Sequence, residues 1–319
     1  MTSTSSLYKL RDWINKDRIN KDKISWYFLS QNPNAISLLE QNLNKINWYN
    51  LSQNPNAIPL LEKYPNKINW NWLSTNPNAI HLLEKNIDKI DWYFLSSNPN
   101  AISLLEKHVD KLDWYNICEN PNAIPLLEKH LNKIKWVSLS INPNAIHILE
   151  QNQDKIDWLY LSQNPNAIHL LEKYPDKIDW AHLSGNPNAI HILKQNMDKI
   201  HWISFSRNTN DISFLEKHLD KINWNYLSEN PNAIPLLEQN IDKINWNHLC
   251  LNPNAIHLLE KYPNKINWNW FSKNPNIFEL DYGFLKTRMD IIREKLMMKA
   301  WHPSRVNKWL EAGLDMEDM

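Results

Sequence analysis

Histidine is the residue type in this sequence whose spacing most readily suggests chemistry. His81, His147, His169, His191 and His257 stand at multiples of a 22-residue interval, and three of them occur in consecutive copies of one motif. Zinc holds imidazole nitrogens at about 2.0–2.1 Å, whereas neighbouring packed helices lie roughly 8–10 Å apart. One histidine per helix is therefore badly placed for chelation. We interpret the series as a solvated ladder and predict no metal site.

The other reactive residue types form no arrangement typical of catalysis. Cys118 and Cys250 are the only two cysteines, and each replaces a serine at the same place in the motif. With only 3 glycines, the chain has no glycine-rich phosphate loop. The recurring carboxylates fall on an outward helix face, where pairing with lysine is expected: Glu40, Glu62, Glu84 and Glu106. We predict a protein that is not an enzyme and binds no cofactor.

Tryptophan defines the repeat that must position these residues. It recurs every 22 residues without insertion or deletion, at 26, 48, 70, 92, 114, 136, 158, 180, 202, 224, 246 and 268. A fixed period is typical of a solenoid or a related array. The unit reads W-x-x-L-S-x-N-P-N-A-I-x-L-L-E-K-x-x-D-K-I-D, and its positions are numbered here from the tryptophan.

Proline marks the helix boundaries within the unit. It occupies position 8 in almost every unit, and positions 12 or 18 in some, and it fits a first helical turn but not a helix interior. We therefore expect a second helix over about positions 10–17, capped by the position-9 asparagine such as Asn34. The first helix should begin after position 19, where the pair Asp88 and Asp91 resembles a capping box.

These helices are too short to be stable alone and must pack on neighbouring units. Positions 10, 11, 13 and 14 form an apolar stripe, and positions 12, 15 and 16 face the other way. A leucine-rich repeat or β-solenoid is the rival architecture, but the unit lacks the L-x-x-L-x-L alternation. We predict an all-α fold: an α-solenoid of about eleven to twelve two-helix repeats with helical caps at both ends, roughly 100 Å long.

Three segments follow from this pattern. Residues 1–25 are predicted as an N-terminal cap, 26–277 as the repeat array and 278–319 as a C-terminal helical cap, for which a docking tail is the alternative. The first segment keeps only the close of a unit, at residues 22–25, and its cap would form around Leu7, Leu10 and Trp13. The last carries apolar residues at helical spacing: Phe284, Leu285, Met289, Ile292 and Leu296.

Asparagine at position 7 scarcely varies, as in Asn32, Asn54 and Asn76. Equivalent side chains of stacked repeats form ladders, and the asparagine amide both donates and accepts hydrogen bonds. We interpret these residues as a structural ladder, with a polar ligand groove as the alternative. The unit at 202–223 departs most from the motif, through Thr209 and Asp211, and predicts a local irregularity.

The positions that vary between units are the candidates for binding. Positions 2, 3, 6 and 12 change while the frame is nearly constant, and position 2 runs from aromatic to aliphatic with an interruption at Asn71. Exposed apolar patches usually mark interaction sites, although a curling superhelix would cover position 2. The candidate partner-binding strip is Tyr27, Tyr49, Tyr93, Tyr115, Val137, Ile141, Leu159 and Ile203.

Charge and hydropathy narrow the classes of partner. The 35 basic and 35 acidic residues balance, so no global field draws the chain to nucleic acid or to an anionic membrane. No apolar run is long enough to span a bilayer, and no secretory signal begins the sequence, so an intracellular location is expected. A scaffold that binds a protein is the leading hypothesis. Alternatives are a nucleic-acid array that reads one base per repeat and a structural component of an assembly.

The motif Asn32-Pro33-Asn34-Ala35-Ile36, repeated through Asn252-Pro253-Asn254-Ala255-Ile256, resembles the NPNAI/LLE/DKIDW tandem repeats of uncharacterised proteins from nucleocytoplasmic giant viruses. The resemblance covers roughly residues 20–277, and the stretch at 300–310 is similar to the tails of such proteins. It implies a viral repeat scaffold in the host cytoplasm or the virion, with a host or viral protein as partner. It implies no enzymatic activity.

Overall fold

The computed structural model describes residues 7–15 and 22–312. Units 1–11 each contain two short α-helices and unit 12 contains the first of them, so the predicted all-α solenoid is confirmed. The first helices, which open units 1–12, are Trp26–Leu29, Trp48–Ser52, Trp70–Thr75, Trp92–Ser96, Trp114–Glu119, Trp136–Ile141, Trp158–Ser162, Trp180–Leu183, Trp202–Asn208, Trp224–Leu227, Trp246–Leu249 and Trp268–Phe271. The second helices are Ile36–Glu40, Ile58–Lys63, Ile80–Glu84, Ile102–Glu106, Ile124–Glu128, Ile146–Gln151, Ile168–Lys173, Ile190–Gln195, Ile212–Glu216, Ile234–Gln239 and Ile256–Lys261.

The remaining elements lie at the two ends of the chain. Strands β1 (Tyr8–Leu10) and β2 (Phe278–Leu280) pair with each other, and a short helix, Asp12–Asn15, follows β1. Two helices end the described part, Tyr282–Ala300 and Pro303–Glu311. None of the described helices is both long enough and apolar enough to span a bilayer.

The first helix begins at the tryptophan, so the predicted start after position 19 was wrong. Asp91, at position 22, accepts hydrogen bonds from the backbone N–H groups of Tyr93 and Phe94 at 3.1 and 3.3 Å and is the N-cap. Positions 18–20 instead form a separate 3₁₀ turn, here Ile87–Lys89. The two are kept apart because the buried Ile90 between them is extended.

The predicted position-9 cap was also wrong. The second helix begins at position 11, and the preceding turn, Pro33–Ala35, is capped by Asn32, whose side chain accepts from the Asn34 backbone N–H at 3.0 Å. The position-9 side chain bonds to the neighbouring unit instead. Asn56, for example, donates to the Pro33 carbonyl at 2.9 Å.

The core lies between the two helices of each unit and between neighbouring units. In unit 1, Leu29 at position 4 and Ala35 and Leu39 at positions 10 and 14 have no exposed surface. The predicted apolar stripe is thus confirmed. The tryptophan rings are mostly half-buried; Trp92, for example, lies against His108 and Lys111, each about 5.0 Å from the centre of its ring.

The predicted asparagine ladder is confirmed. Asn142 is buried and donates from Nδ2 to the carbonyl oxygens of Cys118 and Asn120, in the preceding unit, at 2.8 and 3.0 Å. Its Oδ1 accepts from the Asn144 backbone N–H at 3.0 Å. Each rung therefore satisfies groups on two units at once, which buried polar atoms require.

The ladder is interrupted at unit 9, as the sequence predicts. Its first helix runs to Asn208 at position 7, beyond the end at positions 4–6 in the other units, and it buries Thr209 where other units bury asparagine. Asn208 is exposed, and Thr209 donates to neither Ser184 nor Asn186, whose carbonyls would accept the rung. Asp211 caps the next helix in place of the usual proline turn. The junction between units 8 and 9 therefore lacks its amide rung.

Unit 12 contacts unit 1 in the way that every regular unit contacts its successor. Asn32 donates from Nδ2 to the carbonyl oxygens of Ser272 and Asn274 at 3.4 and 2.9 Å, and Asn34 donates to the Pro275 carbonyl at 3.1 Å. Because the neighbour contacts return from unit 12 to unit 1, the solenoid is a closed ring. The open array of roughly 100 Å that helix spacing predicted was wrong.

Residues from both ends of the chain complete unit 12. The Ser25 N–H donates to Ser272 Oγ at 2.9 Å, just as the Asn47 N–H donates to Ser30 Oγ at 3.0 Å within unit 1. Residues 22–25 thus supply the closing positions that the C-terminal end of the array lacks. The seam of the ring lies inside a unit built from two distant segments.

A clasp holds this seam. Strands β1 and β2 pair antiparallel, and Trp13 packs against Trp268 and Phe271 with ring centres 6.4 and 6.0 Å apart. Of the residues predicted to form an N-terminal cap, Leu10 is buried and Trp13 half-buried, whereas Leu7 is 42% exposed. The parts of that predicted cap at 1–6 and 16–21 lie outside the described residues.

The two helix layers lie at different distances from the ring axis. Neighbouring first helices pack closely from Trp48 to Leu183 and again from Trp202 to Leu227, and no pair of second helices does so to a comparable extent. The hydrogen bonds that asparagine side chains donate to backbone carbonyls of the preceding unit also involve the first helix and the turn after it. In a closed ring the more closely spaced layer is the inner one. The first helices therefore face the opening.

Candidate protein-binding face

The side chains at positions 2, 3 and 6 form the surface that we call the inner face. Each first helix has neighbours on two sides and the second helix behind it, so these positions project away from the core. Seven strip residues are exposed by 41–57%: Tyr27, Tyr49, Tyr93, Tyr115, Val137, Leu159 and Ile203. Ile141 is half-buried. Curling of the solenoid does not cover position 2.

Aromatic side chains concentrate in units 1–5 of the inner face. Trp72 contacts Tyr49 edge-on and stacks on Phe94, with ring centres 5.3 and 5.4 Å apart. Tyr27 and Phe28 are in edge contact at 5.1 Å. The Tyr49–Trp72 and Trp72–Phe94 pairs join neighbouring units, so the ring contacts run without a break from unit 2 to unit 4, whereas Tyr27–Phe28 lies within unit 1.

The strip identified from the sequence omitted position 3. Phe28, Trp72 and Phe94 are half-buried, and Tyr160 and Trp270 are exposed by 38% and 47%. Position 3 varies between units as position 2 does, so the signal was present. It was missed because a broad apolar arc on the first helix left its outward direction undetermined.

Polar residues on the inner face form hydrogen bonds between neighbouring units, and the charged residues there sum to zero. Asn50 donates to the Tyr27 carbonyl at 2.7 Å and accepts from Gln31 at 3.0 Å. The formal charges at positions 2, 3 and 6 balance, being those of Glu119, Arg207, Glu229 and Lys273. A neutral surface with aromatic rings and amides favours an uncharged ligand segment.

A small pocket opens on the inner face where the ladder is interrupted. Its volume is about 230 Å³, and small residues at positions 2 and 6 create it; the lining is Gln163, Ala181, His182, Gly185, Ser204 and Asn208. His182 bonds through Nδ1 to Asp179 at 2.8 Å. Burial alone would raise the pKa of Asp179, but hydrogen bonds from the His182 backbone and ring lower it below its ordinary value. The ring is thereby fixed at the pocket wall.

The outer face carries the histidines and glutamates that recur in the sequence. His81 and His147 bond through Nε2 to Glu62 and Glu128 of the preceding units at 3.0 and 2.9 Å, and both are exposed. The surface interpretation of the histidine series is confirmed. Such exposed pairs contribute about 0–1 kcal/mol each. Among the described residues, no three His, Cys, Asp or Glu side chains form a group that could hold a metal ion.

The two cysteines stand at position 5, where the other units have serine. Both are buried, and burial raises the pKa of the Cys118 and Cys250 thiols to about 11. Cys118 Sγ accepts from the Lys135 N–H at 3.3 Å, as serine Oγ does in other units. A protonated, buried thiol is a poor nucleophile, so these residues are structural.

One family model matches the chain: NosD, described as a periplasmic copper-binding protein, over residues 132–289, just under half of the sequence. The matched segment begins within unit 5 and ends in the helix after β2. Five of its histidines each pair with one glutamate, as His169 and His191 do, and the others bond to Asp179, Ser204 and the Phe214 carbonyl rather than converging. This donor set does not fit a copper site. No curated protein and no solved structure matches the chain.

Proposed function

We propose that this protein is a non-enzymatic scaffold that binds a protein segment along the inner face of its ring. The observation that carries the proposal is the exposure of seven large apolar side chains at position 2, by 41–57%, on an otherwise constant frame. Burial of such side chains on binding is favourable by roughly 25 cal/mol per Å² of apolar surface. Repeat arrays use variable residues on a fixed frame in this way.

The opening is wide enough for a polypeptide. Twelve first helices spaced by roughly 8–10 Å place their axes on a circle about 31–39 Å across, and one helix diameter of about 10–12 Å must be subtracted. An opening of roughly 20–28 Å remains, which admits one helix or an extended segment with its side chains. Resemblance of the repeats to giant-virus proteins extends the proposal to a host or viral protein as the partner.

Nucleic acid is the main competing ligand. The stacked pair Trp72 and Phe94 offers a surface on which bases would stack. The balanced charge of the inner face argues against it, because phosphate neutralisation supplies much of the affinity for nucleic acid. A protein partner therefore fits this surface better.

Affinity purification of the tagged full chain from infected-cell lysate, with and without nuclease, tests the proposal. The test variant changes Tyr93, Tyr115, Leu159 and Ile203 to serine. The control variant changes His81, His147, His169 and His191 to serine on the outer face. We expect a partner protein to co-purify with the unmodified chain even after nuclease treatment. The test variant should no longer recover that protein, and the control variant should recover it as before.

Loss of recovery after nuclease treatment would transfer the assignment to nucleic acid. Equal recovery by both variants would show that the inner face is not the binding surface. Circular dichroism of both variants must first show an intact helical array, because only folded variants compare the two faces.

A further inference from the structure

The helix Tyr282–Ala300, which we call the terminal helix, leaves the ring after its first turn. Asp281 caps it by accepting from the Phe284 N–H at 3.1 Å, and Phe284 and Leu285 are half-buried at its base. Every side chain described from Lys286 to Lys299 is exposed. Helices in proteins owe most of their stability to packing rather than to the intrinsic helix propensity of their residues, and this helix has almost no packing contacts with the ring.

One side of the terminal helix has the spacing of a coiled-coil seam. Leu285, Met289, Ile292 and Leu296 alternate at four and three residues, the heptad arrangement that lines up apolar side chains for a partner helix. Met289 and Leu296 are 62% and 61% exposed, and Ile292 is 40% exposed. Contiguous exposed apolar residues of this kind mark an interaction surface.

The charges beside this seam all have the same sign. Lys286 and Arg293 flank it on one side, and Arg288 and Lys295 flank it on the other. These are the positions whose charges select the partner in coiled coils. None of the four has an ion-pair partner in the part of the chain that the structure describes. The two acidic residues of the helix, Asp290 and Glu294, lie on the opposite side.

We propose that the terminal helix is a docking surface for an amphipathic helix of a partner protein that carries acidic residues on both sides of its apolar stripe. A second copy of this helix would set basic residues against basic residues in either orientation, which costs affinity. An anionic membrane fits less well. Ile291, Met297 and Met298 are exposed away from the seam, whereas membrane-surface helices confine their apolar residues to one face.

Methionine-methyl NMR of the full chain tests this assignment residue by residue. The probes are two synthetic amphipathic peptides with leucine at the heptad core positions, one with glutamate and one with lysine at both flanks. We expect the glutamate-flanked peptide to shift the Met289 methyl signal, on the seam, and to leave the Met298 signal unchanged. The lysine-flanked peptide should shift neither.

A charge-reversed variant provides the decisive comparison. Changing Lys286, Arg288, Arg293 and Lys295 to glutamate should lower affinity for the glutamate-flanked peptide by about tenfold or more and create affinity for the lysine-flanked one. The matched control makes the same change of net charge on the ring, at the exposed residues Lys107, Lys133, Lys177 and Lys221. It should bind like the unmodified chain.

Four results would overturn the proposal. The first is a Met289 signal that the glutamate-flanked peptide does not shift. The second is equal binding by the charge-reversed and control variants. The third is a preference for vesicles of phosphatidylserine and phosphatidylcholine over the glutamate-flanked peptide. The fourth is dimerisation of the chain that is lost in the charge-reversed variant. None of these results depends on the inner face, so this proposal and the proposed function fail independently.

Discussion

At the scale of single residues, the position-7 asparagine contributes more to stability than its neighbours of the same type. Asn142 is buried and serves two carbonyls and one N–H group, whereas Asn144 is exposed and donates only to the Pro121 carbonyl at 2.9 Å. An unpaired buried polar group loses its solvation as well as its hydrogen bond. The two residues therefore provide a matched comparison.

We predict that Asn142→Ala destabilises the chain by about 3 kcal/mol, because it leaves the Cys118 and Asn120 carbonyls without this donor away from water. Asn144→Ala should cost about 1 kcal/mol or less, because water replaces its exposed bond. Thermal unfolding followed by circular dichroism measures both. Equal losses in melting temperature for the two variants would contradict a stabilising role of the position-7 asparagine ladder.

Much of this residue-level pattern could be predicted from the sequence, because it depends only on the repeat. The ladder and the outward histidines follow from equivalent residues stacking on one another. The caps could not be assigned as securely. Asn34 and Asn32 are both asparagines beside Pro33, and which of them caps the turn depends on backbone angles that proline spacing leaves open.

At the scale of elements, the unit that departs from the motif is the weakest described junction of the ladder. Thr209 cannot replace the amide of asparagine, since a hydroxyl has one proton to donate. Lys194 and Asp211 compensate in part through an ion pair across this junction, and hydrogen bonding from Lys194 lowers the pKa of Asp211 below its ordinary value. A partly exposed pair of this kind contributes about 0–1 kcal/mol.

Hydrogen–deuterium exchange should therefore detect local opening at this junction. Amides at 202–212 in unit 9 should exchange faster than those at 136–146 in unit 6, because opening costs less where fewer buried bonds hold the units together. Restoring the motif with Thr209→Pro and Asp211→Ala should slow exchange there. The converse pair, Pro143→Thr and Ala145→Asp, should speed it in unit 6. Indistinguishable rates in the two units would contradict the interpretation.

At the scale of the whole molecule, ring closure was the feature that sequence reasoning missed. Twelve units complete a turn at about 30° each, and a few degrees more or less per unit would give an open superhelix. No residue type encodes that angle. The available signal was at the ends: residues 22–25 keep the close of a unit, and the array ends at residue 277, part-way through one. Together these fragments indicate a unit shared between the termini.

The clasp should decide whether the ring remains closed, because it joins segments that are separated by almost the whole chain. Closing so long a loop costs conformational entropy, and Arg11, Trp13 and the β1–β2 pair supply contacts against that cost. Arg11 donates from Nε to the Asn276 carbonyl at 2.7 Å, and Trp13 packs on two rings of unit 12. Loss of a packed tryptophan typically costs about 3–5 kcal/mol.

Spin labels at Gln41 and Glu260 report directly on whether the ring is closed. These exposed residues belong to units 1 and 11, on either side of unit 12, which contains the seam of the ring. In the unmodified chain we expect one short distance by double electron–electron resonance. The double variant Arg11→Ala and Trp13→Ala should add a population at longer distance, because only the hydrogen bonds between units 1 and 12 then hold the ends together. The control variant Trp301→Ala, which changes an exposed tryptophan, should add no such population. A long distance in the unmodified chain would rule out closure. An unchanged distribution in the double variant would mean that the asparagine bonds of unit 1 to unit 12 suffice.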